Sequence, residues 1–134
     1  MNNLWVRGWL ARDSIRNMRI LIVEDNASNR KVAMLMLDHL GYEYDAVSNG
    51  REAIQAVEHC HYDLVLMDII MPEIDGLEAT QKIRKLNKTG LKIIAITAYV
   101  FPGIREMCLD AGMDDYIPKP VKIEDLAEVL KKYR

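Results

Sequence analysis

From residue 19 onward, short apolar runs alternate five times with longer amphipathic stretches, and this alternation narrows the available folds more than any other feature of the chain. The runs cover residues 20–23, 44–47, 64–67, 93–96 and 116–117. They are continuous rather than alternately polar, as expected of strands buried on both faces of a parallel sheet. Between and after them the apolar spacing predicts helices over 29–40, 51–60, 77–86, 104–111 and 124–133. Gly41 and Gly112 follow two of these helices directly, where a left-handed residue commonly ends a helix. Pro102 falls near the start of the fourth, where a missing amide donor costs little. Five strand-helix units joined by right-handed crossovers make a doubly wound α/β sheet with helices on both faces. In such a sheet ligands bind beyond the carboxyl ends of the strands.

Half of the 134 residues are apolar, which suffices for one core but not for two ordinary domains. A formal charge of -2 provides no general field to gather nucleic acid or an anionic membrane. Cys60 and Cys108 lie far apart, without CxxC spacing or histidine partners suited to zinc. Both are expected to pack as reduced hydrophobes in a cytoplasmic protein. Residues 1–17 place Trp5, Trp9 and Leu10 among Arg7, Arg12 and Arg16. Arg7 and Gly8 interrupt the apolar stretch that a secretory signal needs, and no segment is long and apolar enough to span a bilayer. These residues are expected to form a mobile leader or linker, with a docking segment held by the tryptophans as the alternative, and residues 18–134 to form the domain.

The position after each apolar run carries the chemistry. Glu24 and Asp25 follow the first run, Asp68 the third, Thr97 the fourth and Lys119 the fifth. All converge on one edge of the expected sheet. One acidic residue there could merely cap a helix, but three carboxylates in one pocket repel one another unless a cation joins them. Carboxylate oxygens favour a hard cation such as Mg2+. With Mg2+ and Lys119 the resting charges balance. Phosphorylating Asp68 would then add negative charge and acceptor oxygens that Lys119, the metal and the Thr97 hydroxyl can absorb. A carboxylate nucleophile that forms an aspartyl phosphate is established chemistry. His39, His59 and His61 carry no motif and read as surface or helix-end residues.

Four segments, in order, carry a resemblance: Ile20-Leu21-Ile22-Val23-Glu24-Asp25-Asn26, the run Met67-Asp68-Ile69-Ile70-Met71-Pro72 continuing to Asp75-Gly76, Ile94-Ala95-Ile96-Thr97-Ala98, and Asp115-Tyr116-Ile117-Pro118-Lys119-Pro120. Together they resemble the receiver domain of response regulators in two-component signalling, from about residue 18 to the end, and most closely receivers of hybrid histidine kinases. The resemblance implies a flavodoxin-like (βα)5 fold with strand order 2-1-3-4-5. It implies that Asp68 is the phosphoacceptor and that Asp25 and Asp68 bind Mg2+ directly, with help from Glu24 and the backbone carbonyl of Ile70. Thr97 would hydrogen-bond the phosphoryl group and Lys119 would pair with it. Tyr116 would be the switch aromatic, and the Lys119-Pro120 bond would be cis. The implied partners are a histidine kinase or a histidine phosphotransfer protein, with a downstream protein target also possible, and the implied role is a phosphorelay domain rather than a turnover enzyme.

Two departures from the family pattern stand out. Ile70, two residues after Asp68, cannot orient an attacking water as a polar residue would, and Tyr99 is placed to shield the site; slow autodephosphorylation is expected. The responsive surface is expected to include Ile104, Cys108, Tyr116 and Lys122; Ile104, where many relatives carry a polar residue, reads as an ordinary lone exposed hydrophobe, with an added apolar contact for a partner as the alternative. With the fifth helix ending near Arg134, signalling by contact is expected, either as a stand-alone regulator that docks on a partner or, the favoured reading, as the receiver portion of a hybrid histidine kinase. Three rival functions make distinct demands. A non-phosphorylated docking module would show damage to the acidic pair, Asp68, Thr97 or Lys119. A flavin-binding protein would need small and hydroxyl residues, not Glu24 and Asp25, after its first strand. A phosphatase of the aspartyl-phosphate type would carry an acid at position 70.

Overall fold

The computed structural model describes residues 18–134; the leader expected over 1–17 lies outside them. Five parallel strands, β1 (Arg19–Val23), β2 (Glu43–Val47), β3 (Leu64–Asp68), β4 (Lys92–Thr97) and β5 (Asp115–Pro118), form one sheet in the order β2-β1-β3-β4-β5. They alternate with helices α1 (Ala27–Leu40), α2 (Gly50–His59), α3 (Gly76–Arg84), α4 (Ile104–Ala111) and α5 (Ile123–Tyr133). The fold class and the 2-1-3-4-5 order are as expected. None of the helices among the described residues is long and apolar enough to cross a membrane.

Successive strand side chains point to opposite faces, so each continuous apolar run feeds two cores. Leu21, Val23, Val65, Met67, Ile93 and Ala95 face α2, α3 and α4, where they meet Ala53, Val57, Ala79, Ile83 and Cys108. Ile20, Ile22, Leu64, Leu66, Ile94 and Ile96 face α1 and α5, where they meet Leu37, Leu126 and Leu130. β3 is buried along its whole length, whereas β2, at the sheet edge, is only half-buried.

Three helices begin at the carboxyl edge with side-chain caps. Asn26, Asn49 and Asp75 accept hydrogen bonds from the amides of Asn29, Glu52 and Glu78. Each cap satisfies an amide that has no partner within the helix. These caps start α1, α2 and α3 one or two residues earlier than the apolar spacing predicts. Gly41 and Gly112 end α1 and α4 in the left-handed conformation, as expected.

Two surface assignments are corrected. Ile104 opens α4 with its side chain turned into the core, 4% exposed, and Cys108 one turn later is also buried. Both lie on the face of α4 that packs against the sheet, so neither belongs to a partner surface; Lys122 is exposed and Tyr116 half-buried. Cys60 does not pack in the core. It caps the carboxyl end of α2 and is exposed, as are His39, His59 and His61.

Candidate functional site

Beyond the carboxyl ends of β1, β3, β4 and β5 the structure brings together the residues expected there. Glu24, Asp25 and Asp68 each offer one carboxylate oxygen, all within 4.8 Å of one another. Glu24 and Asp68 are buried and Asp25 is exposed. Lys119 reaches in from the loop after β5, with Nζ 3.2 Å from Glu24 Oε2 and 3.4 Å from Asp68 Oδ2. The Lys119-Pro120 peptide is cis, as expected.

Local packing fixes Asp68. It is the last residue of β3, and its backbone lies directly against the start of α3. A Cβ on Gly76 would collide with the carbonyl oxygen of Asp68 and would lie 2.8 Å from Ile69 Cα, so only glycine allows α3 to begin here. The Gly76 amide donates to the Ile69 carbonyl at 2.8 Å, tying the helix start to the strand end. The Ile70 amide lies 3.3 Å from Asp68 Oδ1, and the Ile70 side chain is 53% exposed beside the site.

The electrostatics of the pocket are unbalanced. Burial, and then the neighbouring Glu24 carboxylate, push the Asp68 carboxyl up to about 6, against the opposing pull of Lys119. Burial disfavours the Lys119 ammonium, but Asp68 and Glu24 outweigh it and hold its pKa above the ordinary lysine value. One ammonium faces three carboxylates, leaving an excess of two negative charges. Hard oxygen donors with that excess fit a divalent cation of the Mg2+ class. A like-charge cluster with two of its three carboxylates buried is unfavourable without one.

Thr97 ends β4 and is buried. Among the described residues its hydroxyl bonds to its own loop, accepting from the Tyr99 amide at 2.9 Å, rather than to the carboxylates. The Tyr99 side chain is 58% exposed. Tyr116 is half-buried against the core on the α2, α3 and α4 side. Two residues absent from the sequence-based site matter here. Gly76 could have been found from its place at the helix start after a loop. Arg30, whose Nη1 donates to the Glu24 carbonyl at 2.9 Å, could not, because its target is backbone.

Residues 20–131 match the family model for the response regulator receiver domain. A probable histidine kinase 1 of Oryza sativa subsp. indica is 40% identical, the alignment covering 90% of this chain and 16% of that protein. The sensor protein GacS of Pseudomonas syringae pv. syringae is also 40% identical, over 90% of this chain and 14% of its own. The chain thus spans less than a fifth of these relatives. Among solved structures, the receiver domain of sensor histidine kinase PA1611 from Pseudomonas aeruginosa PAO1, with magnesium coordinated in its active site cleft, is 41% identical and superposes with a TM-score of 0.78, covering 87% of this chain and 96% of that one. The receiver domain of Ssk1 from Saccharomyces cerevisiae, in co-crystals with the histidine phosphotransfer protein Ypd1, is 27% identical with a TM-score of 0.82 over 87% of this chain and 88% of the matched chain. With the family model spanning nearly the whole described chain and 41% identity to a receiver domain covered over 96% of its length, the chain belongs to the response regulator receiver domain family.

Proposed function

We propose that residues 18–134 are a phosphorelay receiver that takes a phosphoryl group onto Asp68 from a phosphohistidine. The observation that carries this reading is the carboxylate cluster at the carboxyl edge, two of its three members buried, opposed by a single lysine. An Asp68 carboxylate oxygen attacks phosphorus, the phosphorus-nitrogen bond of the donor breaks, the imidazole leaves with the electron pair, and an acyl phosphate remains on Asp68. Asp25 and Asp68, with Glu24 and the Ile70 carbonyl, would hold Mg2+. When bound, the ion neutralises the phosphoryl oxygens and aligns donor and acceptor.

Lys119 pairs with the new phosphoryl charge, for which it already stands within 3.4 Å of Asp68. Thr97 leaves its contact with Tyr99 to donate its hydroxyl to the phosphoryl group, and Tyr116, on the neighbouring strand, packs further inward. The new charge thereby favours one of two arrangements of β4, β5 and their loops.

The donor is a histidine kinase or a histidine phosphotransfer protein. Support comes from the Ssk1 receiver's complex with Ypd1 and from the kinases among the relatives. An apolar hollow of about 500 Å3 beside Glu24 and Lys119, lined by Val32, Ala33, Met36, Ile96 and Val121, suits a protein donor. The domain works in the cytoplasm as a phosphoacceptor that hydrolyses its own acyl phosphate, without turnover of other substrates; position 70 holds isoleucine rather than an acid.

Intact mass after incubation with Mg2+ and acetyl phosphate tests the reading. A metal-dependent gain of one phosphoryl group, absent from Asp68→Asn, is expected. No gain in folded protein, with this donor and with candidate kinases, would favour a docking module that retains the shape of the site without its chemistry.

A further inference from the structure

The acidic loop after β1 has one carboxylate whose position no side-chain contact explains. Four contacts fix Glu24: its amide donates to the Val47 carbonyl at 3.2 Å, its Oε1 accepts from the Asn26 amide at 3.3 Å, its Oε2 meets Lys119, and its carbonyl accepts from Arg30. Asp25, the next residue, is exposed and makes no side-chain hydrogen bond among the described residues. Its direction is set by the backbone on either side. On the far side, Asn26 caps α1 and is fixed by the Asn29 amide. On the near side, the peptide plane joining Glu24 to Asp25 is held at its oxygen by the Arg30 guanidinium at 2.9 Å.

We infer that Arg30 is a positioning residue for the metal site: by anchoring the Glu24 carbonyl it fixes the Glu24-Asp25 peptide plane and so aims the Asp25 carboxylate at Glu24 and Asp68. Arg30, at the end of the first turn of α1, reaches back to the loop through Nη1. A guanidinium suits this task better than an ammonium because its planar donors meet the carbonyl oxygen at a fixed angle.

The inference rests on the proposed metal-binding role of Glu24, Asp25 and Asp68, and it makes a prediction with an unambiguous sign. Arg30 is a cation close to a cation site. If its only effect there were electrostatic, removing it would tighten divalent binding. If it positions Asp25, removing it weakens binding. Groups that orient metal ligands typically change affinity by about tenfold or more when lost.

The test is Mn2+ binding, followed by the loss of the free-ion electron paramagnetic resonance signal, in wild type, Arg30→Met and Arg30→Lys. Phosphorylation by acetyl phosphate is measured alongside across a metal titration. The expected result is weaker Mn2+ binding by about tenfold in Arg30→Met and by less in Arg30→Lys. The half-saturating metal concentration for phosphorylation rises in step, while the rate at saturating metal stays near wild type. Unchanged or tighter Mn2+ binding in Arg30→Met overturns the inference, as does a loss of saturated rate without a loss of affinity. Should Arg30→Met fail to fold, the Arg30→Lys affinity decides. Wild type that binds no Mn2+ would instead sink the metal-site reading on which the inference stands.

Discussion

The two ends of the sheet treat charge in opposite ways. Near the amino ends of β4 and β5, Arg84 meets every demand of its surroundings: Nε donates to the Gly112 carbonyl at 2.8 Å, Nη1 to the Leu91 carbonyl at 2.6 Å and Nη2 to Asp114 Oδ2 at 2.8 Å, while Asp114 also accepts from the Ile93 amide. One cation, one anion and the free backbone groups around them are matched, and α3 is thereby stapled to β4, α4 and β5. At the carboxyl ends three carboxylates share one lysine, two of the three are buried, and the Asp68 carboxyl is pushed up to about 6 by burial and by Glu24. The first arrangement is what charge looks like when it serves stability. In the second, stability is given up so that a cation and then a phosphoryl group will be welcome.

The contrast can be broken from either side, and the signs differ. Arg84→Ala removes three hydrogen bonds and leaves partly buried Asp114 without its cation. A loss of about 3 kcal/mol in unfolding free energy is expected, read by urea denaturation. A loss below about 0.5 kcal/mol would mean that water replaces the guanidinium freely and that the amino end is no better matched than the other. Asp68→Asn, in metal-free buffer, should do the reverse. Relief of like-charge repulsion should stabilise the fold by about 1–2 kcal/mol. Added Mg2+ should shrink the gap, because wild type gains more from the ion than the mutant does. A destabilised Asp68→Asn would show that Lys119 already balances the pocket unaided.

The chemistry of the carboxyl end was far more legible in the sequence than the packing around it, and the reason is geometric. Asp68, Thr97 and Lys119 each sit at or just past the end of an apolar run, so locating the strands located the site. Arg30 and Arg84 gave no such signal, since both act on backbone carbonyls whose positions exist only in the folded chain. Hydropathy also misjudged single side chains at element ends. Ile104 stands at the first turn of α4, where the helix approach angle decides whether it enters the core. Cys60 stands one residue past α2 in extended backbone, where its side chain leaves the helix face that buries Val57. Helix starts came out late because Asn26, Asn49 and Asp75 act through hydrogen bonds rather than through apolar spacing.

Within the carboxyl end, Ile70 offers a finer probe of how far the site is tuned for holding its phosphoryl group. Its exposed side chain lies beside Asp68 and has no group to align water. Ile70→Gln supplies one, and should shorten the lifetime of the acyl phosphate by about fivefold, close to 1 kcal/mol in barrier height. Decay is read as loss of the added phosphoryl mass with time after donor removal. An unchanged or longer lifetime in folded protein would place the control of hydrolysis elsewhere, with Tyr99 the next residue to substitute.

The smallest effect belongs to a matched cluster at the exposed edge of the sheet. Asp45, on β2, accepts from the Tyr62 hydroxyl and pairs with Arg19 at 2.7 Å, and these two partners, the tyrosine first, hold its carboxyl below the ordinary aspartate range. A carboxyl depressed in the fold contributes stability that is present above its unfolded pKa, about 3.9, and is lost as pH falls through the folded value. The side chains are 49% and 42% exposed, so solvent screens much of the attraction. Asp45→Asn should therefore cost only about 0.5 kcal/mol at pH 7. The cost should begin to fade below about pH 4 and disappear once pH has fallen through the depressed folded value, where wild type loses the same charge that the mutant never had. Denaturation curves for the two proteins should differ at pH 7, and the gap should narrow steadily as pH is lowered from about 4. A gap that persists in acid would assign the cluster's contribution to the shape and hydrogen bonding of Asp45, and charge matching at this edge would then contribute nothing measurable.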